Sequence, residues 1–184
     1  FFTMEWTGMK IGEALQYSAD KWPESNFVVG MGKRITYAEF NRRVDRLATG
    51  LMGLGIVRGD HVACWLTNGP DWIMTWLACC RLGATVVSIN TRYKTQEVEF
   101  ILRQSDAKLL VAMPSYWEID YRSMISEMVP GYETSTPGNL NCDSLPELRG
   151  VVLWQDESHP GTISLHTLQS NDADRAALDA AAAT

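Results

Sequence analysis

Long apolar runs are missing: Ile73–Cys80 and Ala84–Ile89 are the longest, far short of the roughly 20 residues a membrane-crossing helix needs. Basic charge is also scarce. With 16 Lys and Arg against 22 Asp and Glu, a net charge of -6 and a pI near 5.0, there is no clustered cationic surface to displace counterions from nucleic acid. His61, His159 and His166 are the only histidines, and none shares metal-ligand spacing with another ligand on a common face, so no metal site is expected. Cys64, Cys79, Cys80 and Cys142 lack C-x-x-C spacing, which argues against a zinc site or disulfide framework and fits a reducing cytoplasm. Phe1-Phe2-Thr3 has neither the basic nor the long apolar region of a secretory signal.

Several catalytic motifs are missing as well. Gly30-Met31-Gly32-Lys33 lacks the spacing of a phosphate loop and reads as a hairpin turn. Gly50, Gly53 and Gly55 fall at a helix end, where the dipole opposes a pyrophosphate, and are read as helix termination. There is no G-x-S-x-G elbow, and Ser88 is expected to be a packed hydroxyl inside an apolar strand.

What is present is a chain of 184 residues, 46% hydrophobic, enough for one globular domain with its own core. Phe27–Gly30 and Arg34–Tyr37 read as strands joined by a tight turn. Thr36 and Glu39 form a capping box, followed by Phe40, Val44, Leu47, Leu51 and Leu54 on one helical face. His61–Leu66 reads as a buried strand, Pro70 opens a helix to about Leu82, and Gly83 supplies its left-handed cap. Trp72 and Trp76, one turn apart, are expected to face the core. Ala84–Ile89 has the β-branched character of a central strand covered on both faces. Thr95 is expected to cap the next helix, Lys108–Ala112 to form a strand, and Ser115 with Glu118 to cap a helix carrying Ile119, Ile125 and Met128. Val151–Trp154 resumes as a strand after an aperiodic stretch, 131–149, expected to be mobile or functional.

Strands alternating with helices of these lengths predict an α/β fold: a doubly wound, mostly parallel sheet with helices on both faces. Residues 1–170 would form the α/β unit. Residues 171–184 would be an Ala-rich connector, with Asp172–Thr184 a solvated or frayed helix.

In open α/β sheets ligands bind beyond the carboxyl ends of the strands, the place occupied by Asn90-Thr91-Arg92-Tyr93-Lys94. There Arg92 could hold a phosphate through a bidentate contact; a solvated loop turned by Asn90 is the plainer alternative.

Ile35-Thr36-Tyr37-Ala38-Glu39-Phe40, Leu51–Asp60, Asn68, Arg81-Leu82-Gly83-Ala84 and Ser88-Ile89-Asn90-Thr91-Arg92-Tyr93, in that order, resemble the adenylate-forming acyl-CoA synthetase superfamily. Glu97–Leu110, Asp120-Tyr121, Pro137-Gly138 and Leu145-Pro146-Glu147-Leu148 are similar to its medium-chain fatty-acyl-CoA synthetase branch. The resemblance implies the amino-terminal part of a ligase that uses ATP and Mg²⁺ to form an acyl-adenylate from a carboxylic acid, then passes the acyl group to CoA. It implies no catalytic residue in this chain. The family's phosphate loop ending in Pro-Lys-Gly, its aromatic-Thr-Glu and Gly-Asp motifs and its mobile-domain lysine have no counterparts in the sequence. The fragment alone is therefore expected to be inactive and to hold no cofactor tightly. Arg92 corresponds to an arginine near the CoA nucleotide, although Thr91 stands where the family often has Pro. The alternative is a stand-alone nucleotide- or partner-binding module without catalysis. A redox-cofactor domain would want G-x-G-x-x-G after the first strand, which the sequence lacks.

Overall fold

The computed structural model describes residues 8–183 other than 31, 156, 158 and 171; of 166, 182 and 183 only the backbone is described. Met31, Thr184, the side chain of His166 and the Phe1-Phe2-Thr3 start thus lie outside the described residues.

The first described element is a helix without counterpart in the sequence expectations, α1 (Ile11–Lys21). Its first turn is closed by the Glu13 carboxylate, which accepts from the Lys10 backbone N–H at 3.0 Å. Gly12 sits against the backbone carbonyl of Cys80, where a Cβ would come within 2.7 Å. No Ser, Thr, Asp or Asn marks the start, and its buried positions are small or sparse: Gly12, Leu15, Ser18 and Ala19. That leaves little periodic signal.

Strands β1 (Asn26–Gly30) and β2 (Lys33–Thr36) pair as the expected antiparallel hairpin, with Gly30 opposite Lys33. Helix α2 (Tyr37–Gly53) begins where the capping box placed it, the Thr36 hydroxyl accepting from the Glu39 N–H at 3.2 Å. Gly53 ends the helix, but Gly50 has another reason to be glycine. A Cβ there would lie 2.3 Å from the Leu168 carbonyl oxygen, so Gly50 admits a second backbone rather than ending the helix.

The main sheet follows from β3 (His61–Trp65), α3 (Pro70–Leu82), β4 (Thr85–Ser88), α4 (Thr95–Gln104) and β5 (Leu109–Ala112). Pro70 opens α3, and Gly83 ends it at φ 68° and ψ 16° in the left-handed region. The chain then forms a small hairpin of β6 (Ser115–Tyr116) and β7 (Ile119–Asp120), α5 (Tyr121–Met128), a 3-10 turn at Tyr132–Thr134 and β8 (Gly150–Leu153). β9 (Ile163–Ser164), α6 (Leu165–Gln169) and α7 (Arg175–Ala183) complete it.

Five strands run parallel in the order β4-β3-β5-β8-β9. From β3 the chain steps outward to β4, then crosses back to the far side of β3, making the doubly wound sheet the sequence predicts. Side chains alternate across it. Val62, Cys64, Leu109, Val111 and Val152 join α1, α2, α3, α6 and α7 in one core. Ala63, Trp65, Leu110, Ala112, Val151 and Leu153 join α4, α5 and the 131–149 stretch in the other.

Several expectations need correction. β4 is an edge strand, not a central one: among the described residues it pairs only with β3, Thr85 and Ser88 are exposed, and Val86 and Val87 are half-buried. Ser88 is thus not a packed hydroxyl. Ser115 and Glu118 cap nothing; they belong to the β6–β7 hairpin, and Asp120 caps α5 by accepting from the Arg122 and Ser123 amides at 3.0 and 3.3 Å. Thr95 is the first residue of α4 rather than its cap, and the Glu97 carboxylate closes that turn by accepting from the Lys94 N–H at 2.8 Å. Of the two alternatives for 131–149, mobile or functional, packing speaks against the first: Tyr132, Leu145 and Leu148 are buried, and Leu140 donates its N–H to the Arg149 carbonyl at 2.8 Å. Finally, α7 is docked, because Leu178 is 1% exposed in the first core and Arg175 reaches Asp45 at 2.7 Å. Its alanines predict helix, but one leucine and one arginine hold it to the body. Trp72 and Trp76, 6.2 Å apart, are half-buried and pack on the margin of the core, while Met74, Thr75, Leu77, Ala78 and Cys79 form the fully buried face of α3.

Candidate functional site

The reversal of strand order lies between β3 and β5, the place where open α/β sheets bind ligands beyond the carboxyl ends of their strands. Between them the Thr67 hydroxyl donates to the Met113 sulfur at 3.6 Å. At the same end of the sheet, the loop leaving β4 carries Asn90 to Lys94. Two aromatic side chains from below fix this loop. The Trp65 indole N–H donates to the Asn90 carbonyl at 3.1 Å, and the Tyr121 hydroxyl donates to the Thr91 carbonyl at 2.7 Å. Those rings stack on each other with centroids 4.1 Å apart, and both are fully buried. Burial raises the Tyr121 pKa, so the phenol remains protonated and able to donate. The Asn90 side chain accepts from the Arg92 N–H at 2.9 Å, an Asx turn that makes the loop a defined shape rather than a tether. Thr91 therefore does not need the stiffness of proline.

Arg92 projects from this loop exposed, and among the described residues no carboxylate lies within ion-pair distance of it. Its guanidinium carbon stands 6.0 Å from the ring centroid of Trp117. Arg92, Tyr116, Trp117, Glu118 and Ile119 line a cleft of about 450 Å³. Trp117 is 79% exposed and stacks on Tyr116 at 5.2 Å. It is the first residue of the two-residue loop between β6 and β7, with φ of 53°, where a hairpin turn with one positive φ prefers glycine. A side chain in that conformation costs about 1 to 2 kcal/mol. Below the hairpin, burial pushes the Asp120 carboxyl up, but hydrogen bonds from Ser123 and Arg122 and the Arg122 charge outweigh it and hold the group below its ordinary 3.8. The cap stays ionised at neutral pH.

The arrangement puts on one rim a guanidinium without a carboxylate partner among the described residues, an exposed aromatic ring and a carboxylate. Burial pushes the Cys64 thiol up to about 12, and the Cys79 thiol is raised further by the same cause, which leaves both as inert core residues. Among the described residues no group of three His, Cys, Asp or Glu could hold a metal ion, and no helix is long and apolar enough to cross a membrane. His61 uses its Nδ1 on the Ser105 carbonyl at 2.6 Å.

A second charged cluster lies on the opposite layer. Asp45 and Arg81 are buried, with Arg81 Nε 3.0 Å from Asp45 Oδ1 in an ion pair whose angle falls outside hydrogen-bond geometry. Arg81 also donates to the Asn41 side-chain carbonyl, and Arg175 donates to Asp45 at 2.7 Å. Burial lowers the Arg81 pKa and the Asp45 charge opposes the shift. This network ties α2, α3 and α7 together.

Of the residues lining the Arg92 cleft, the sequence reading singled out Arg92 and not Trp117. Trp and Glu are rare choices for a two-residue turn, so nothing in the local composition marks a hairpin there.

The profile of the AMP-binding enzyme family matches residues 15–179. The chain is 31% identical over 160 residues to the mitochondrial medium-chain acyl-CoA ligase ACSF2 of Danio rerio, covering 86% of this chain and 26% of the relative. To the human ACSF2 it is 30% identical over 171 residues, covering 92% and 28%. Among solved structures, the N-terminal domain of FACL13 from Mycobacterium tuberculosis superposes with a TM-score of 0.68 at 28% identity, over 90% of this chain and 37% of that one. The anthranilate CoA ligase AuaEII, in complex with anthranoyl-AMP, superposes with a TM-score of 0.73 at 19% identity, over 90% and 28%, which shows the shared fold. The chain spans about a quarter of the length of the curated relatives it matches.

Proposed function

The chain belongs to the AMP-binding enzyme family, and on that premise we propose that it is the amino-terminal part of an ATP-dependent carboxylic acid–CoA ligase acting on fatty acids. In that reaction a carboxylate oxygen attacks the α-phosphorus of ATP and pyrophosphate leaves. The CoA thiol sulfur, losing its proton, then attacks the acyl carbon and AMP leaves. The observation that carries the reading is the family match over residues 15–179, joined to an exposed Arg92, without a carboxylate partner among the described residues, at the sheet's carboxyl end.

Arg92 suits a CoA phosphate because its charge is accessible and, among the described residues, unspent on any carboxylate. We assign the metal and the ATP phosphates to the longer enzyme, since the chain spans about a quarter of the length of its ACSF2 relatives. This chain's share is to place the acceptor's phosphate. A cytoplasmic location belongs to the same proposal, supported by four free cysteines; the ACSF2 relatives are mitochondrial by name.

The test has two parts. The 184-residue chain should form no hydroxamate from ATP, a carboxylic acid and hydroxylamine, and robust turnover would reject the fragment reading. In the longer enzyme, Arg92→Ala should raise KM for CoA about tenfold to a hundredfold and leave adenylate formation nearly intact, as loss of one charged contact requires. Equal losses in both half-reactions would reject the CoA contact.

A further inference from the structure

We infer that Trp117, at the tip of the β6–β7 hairpin, is the platform on which the adenine of the acceptor's nucleotide stacks while Arg92 holds its phosphate. This deepens the proposed function and rests on its CoA reading.

Trp117 does little for the fold. It is 79% exposed, and it takes a positive φ at a turn position that glycine would fill without strain. Folding alone would favour another residue. What its position provides is proximity: the indole lies 6.0 Å from the Arg92 guanidinium carbon, on the cleft of about 450 Å³ that both residues line. Tyr116, stacked at 5.2 Å with 20° between ring planes, steadies the indole, and the exposure shows that neither neighbour covers it.

An aromatic face beside an uncommitted cation is the pairing that binds a base and its phosphate together, because every base has a π-face and every nucleotide an anion close to it. Glu118, on the same rim, can only accept hydrogen bonds when ionised, which suits the exocyclic amine of adenine. The same carboxylate, in a chain of net charge -6, disfavours docking of the hairpin on an anionic membrane. The pair thus selects a thiol acceptor that carries an adenine nucleotide over a bare phosphopantetheine arm.

The test is calorimetric titration of adenosine 3′,5′-bisphosphate into the 184-residue chain and its variants, with circular dichroism confirming their folding. The chain should bind; Trp117→Ala should weaken binding about tenfold, the usual loss for one stacked base, while Trp117→Phe keeps most of the affinity. Arg92→Ala should weaken it as well. Loss with Arg92→Ala but none with Trp117→Ala would overturn the stacking role and leave the Arg92 phosphate contact standing. No binding by the unaltered chain would overturn both. If Trp117→Ala leaves the bisphosphate affinity unchanged but abolishes binding to phosphatidylserine-containing vesicles, the hairpin is a membrane contact instead.

Discussion

Arg81 and Arg92 are eleven positions apart and do opposite work. Arg81 is 7% exposed and spends its guanidinium inside the molecule on Asp45 and Asn41. Arg92 is exposed on a loop held from beneath by Trp65 and Tyr121, and its guanidinium lies over Trp117 with no carboxylate partner among the described residues. Identical chemistry becomes a structural tie in one place and a binding group in the other, because burial obliges a charge to find its partners within the fold while exposure leaves it available.

Substitutions around the two arginines can break that contrast. The largest effect is expected from Asp45→Ala, which leaves Arg81 buried without its counter-charge and should cost about 3 to 5 kcal/mol, measured by urea unfolding. Arg175→Ala should cost about 1 kcal/mol: it removes a half-exposed partner of Asp45 yet leaves the Arg81–Asp45 pair in place. A loss as large as that of Asp45→Ala would mean that α7 holds the whole network together.

Glu39 gives a smaller, pH-dependent effect. Hydrogen bonding by Arg43, together with Arg42, holds its carboxyl below the ordinary 4.5 against the opposing effect of burial. Its contribution is therefore present above pH 4.5 and is lost as pH falls through the lower folded value. Since both partners are well exposed, the pairs are worth less than about 1 kcal/mol. The stability gap between the unaltered chain and Glu39→Gln should close on going from pH 7 to about pH 3; a constant gap would show that charge is not the cause. Smallest of all, Arg92→Ala should leave the unfolding midpoint within about 0.5 kcal/mol of the original while weakening nucleotide binding. A marked loss of stability would erase the contrast with Arg81.

Much of the fold was legible where local chemistry and burial agree. Thr36 with Glu39, Pro70, and Gly83 at φ 68° mark helix ends by backbone requirements that hold in any surroundings. Elsewhere a partner distant in sequence decided the outcome. Ala84–Ile89 has the composition of a central strand, but pairing placed β4 at the edge. Gly50 belongs to a helical pattern, and only the approach of the Leu168 backbone explains why it is glycine. The Ala-rich end shows helix propensity, while Leu178 and Arg175 supply the docking. For the proposed site, position beyond a strand end made Arg92 a candidate from sequence alone. Trp117 required the fold, because a two-residue turn built from Trp and Glu bears no local mark.

By itself, the sequence determined the alternation of strands and helices, the parallel sheet covered on both faces and the family to which the chain belongs. These depend on periodicity, caps and motif order, all of which are local properties of the chain. The tertiary structure alone decided which strand lies at the edge, which arginine is buried and which aromatic ring stands beside Arg92. Those outcomes depend on how residues far apart in the chain share space and solvent, and no local pattern encodes that.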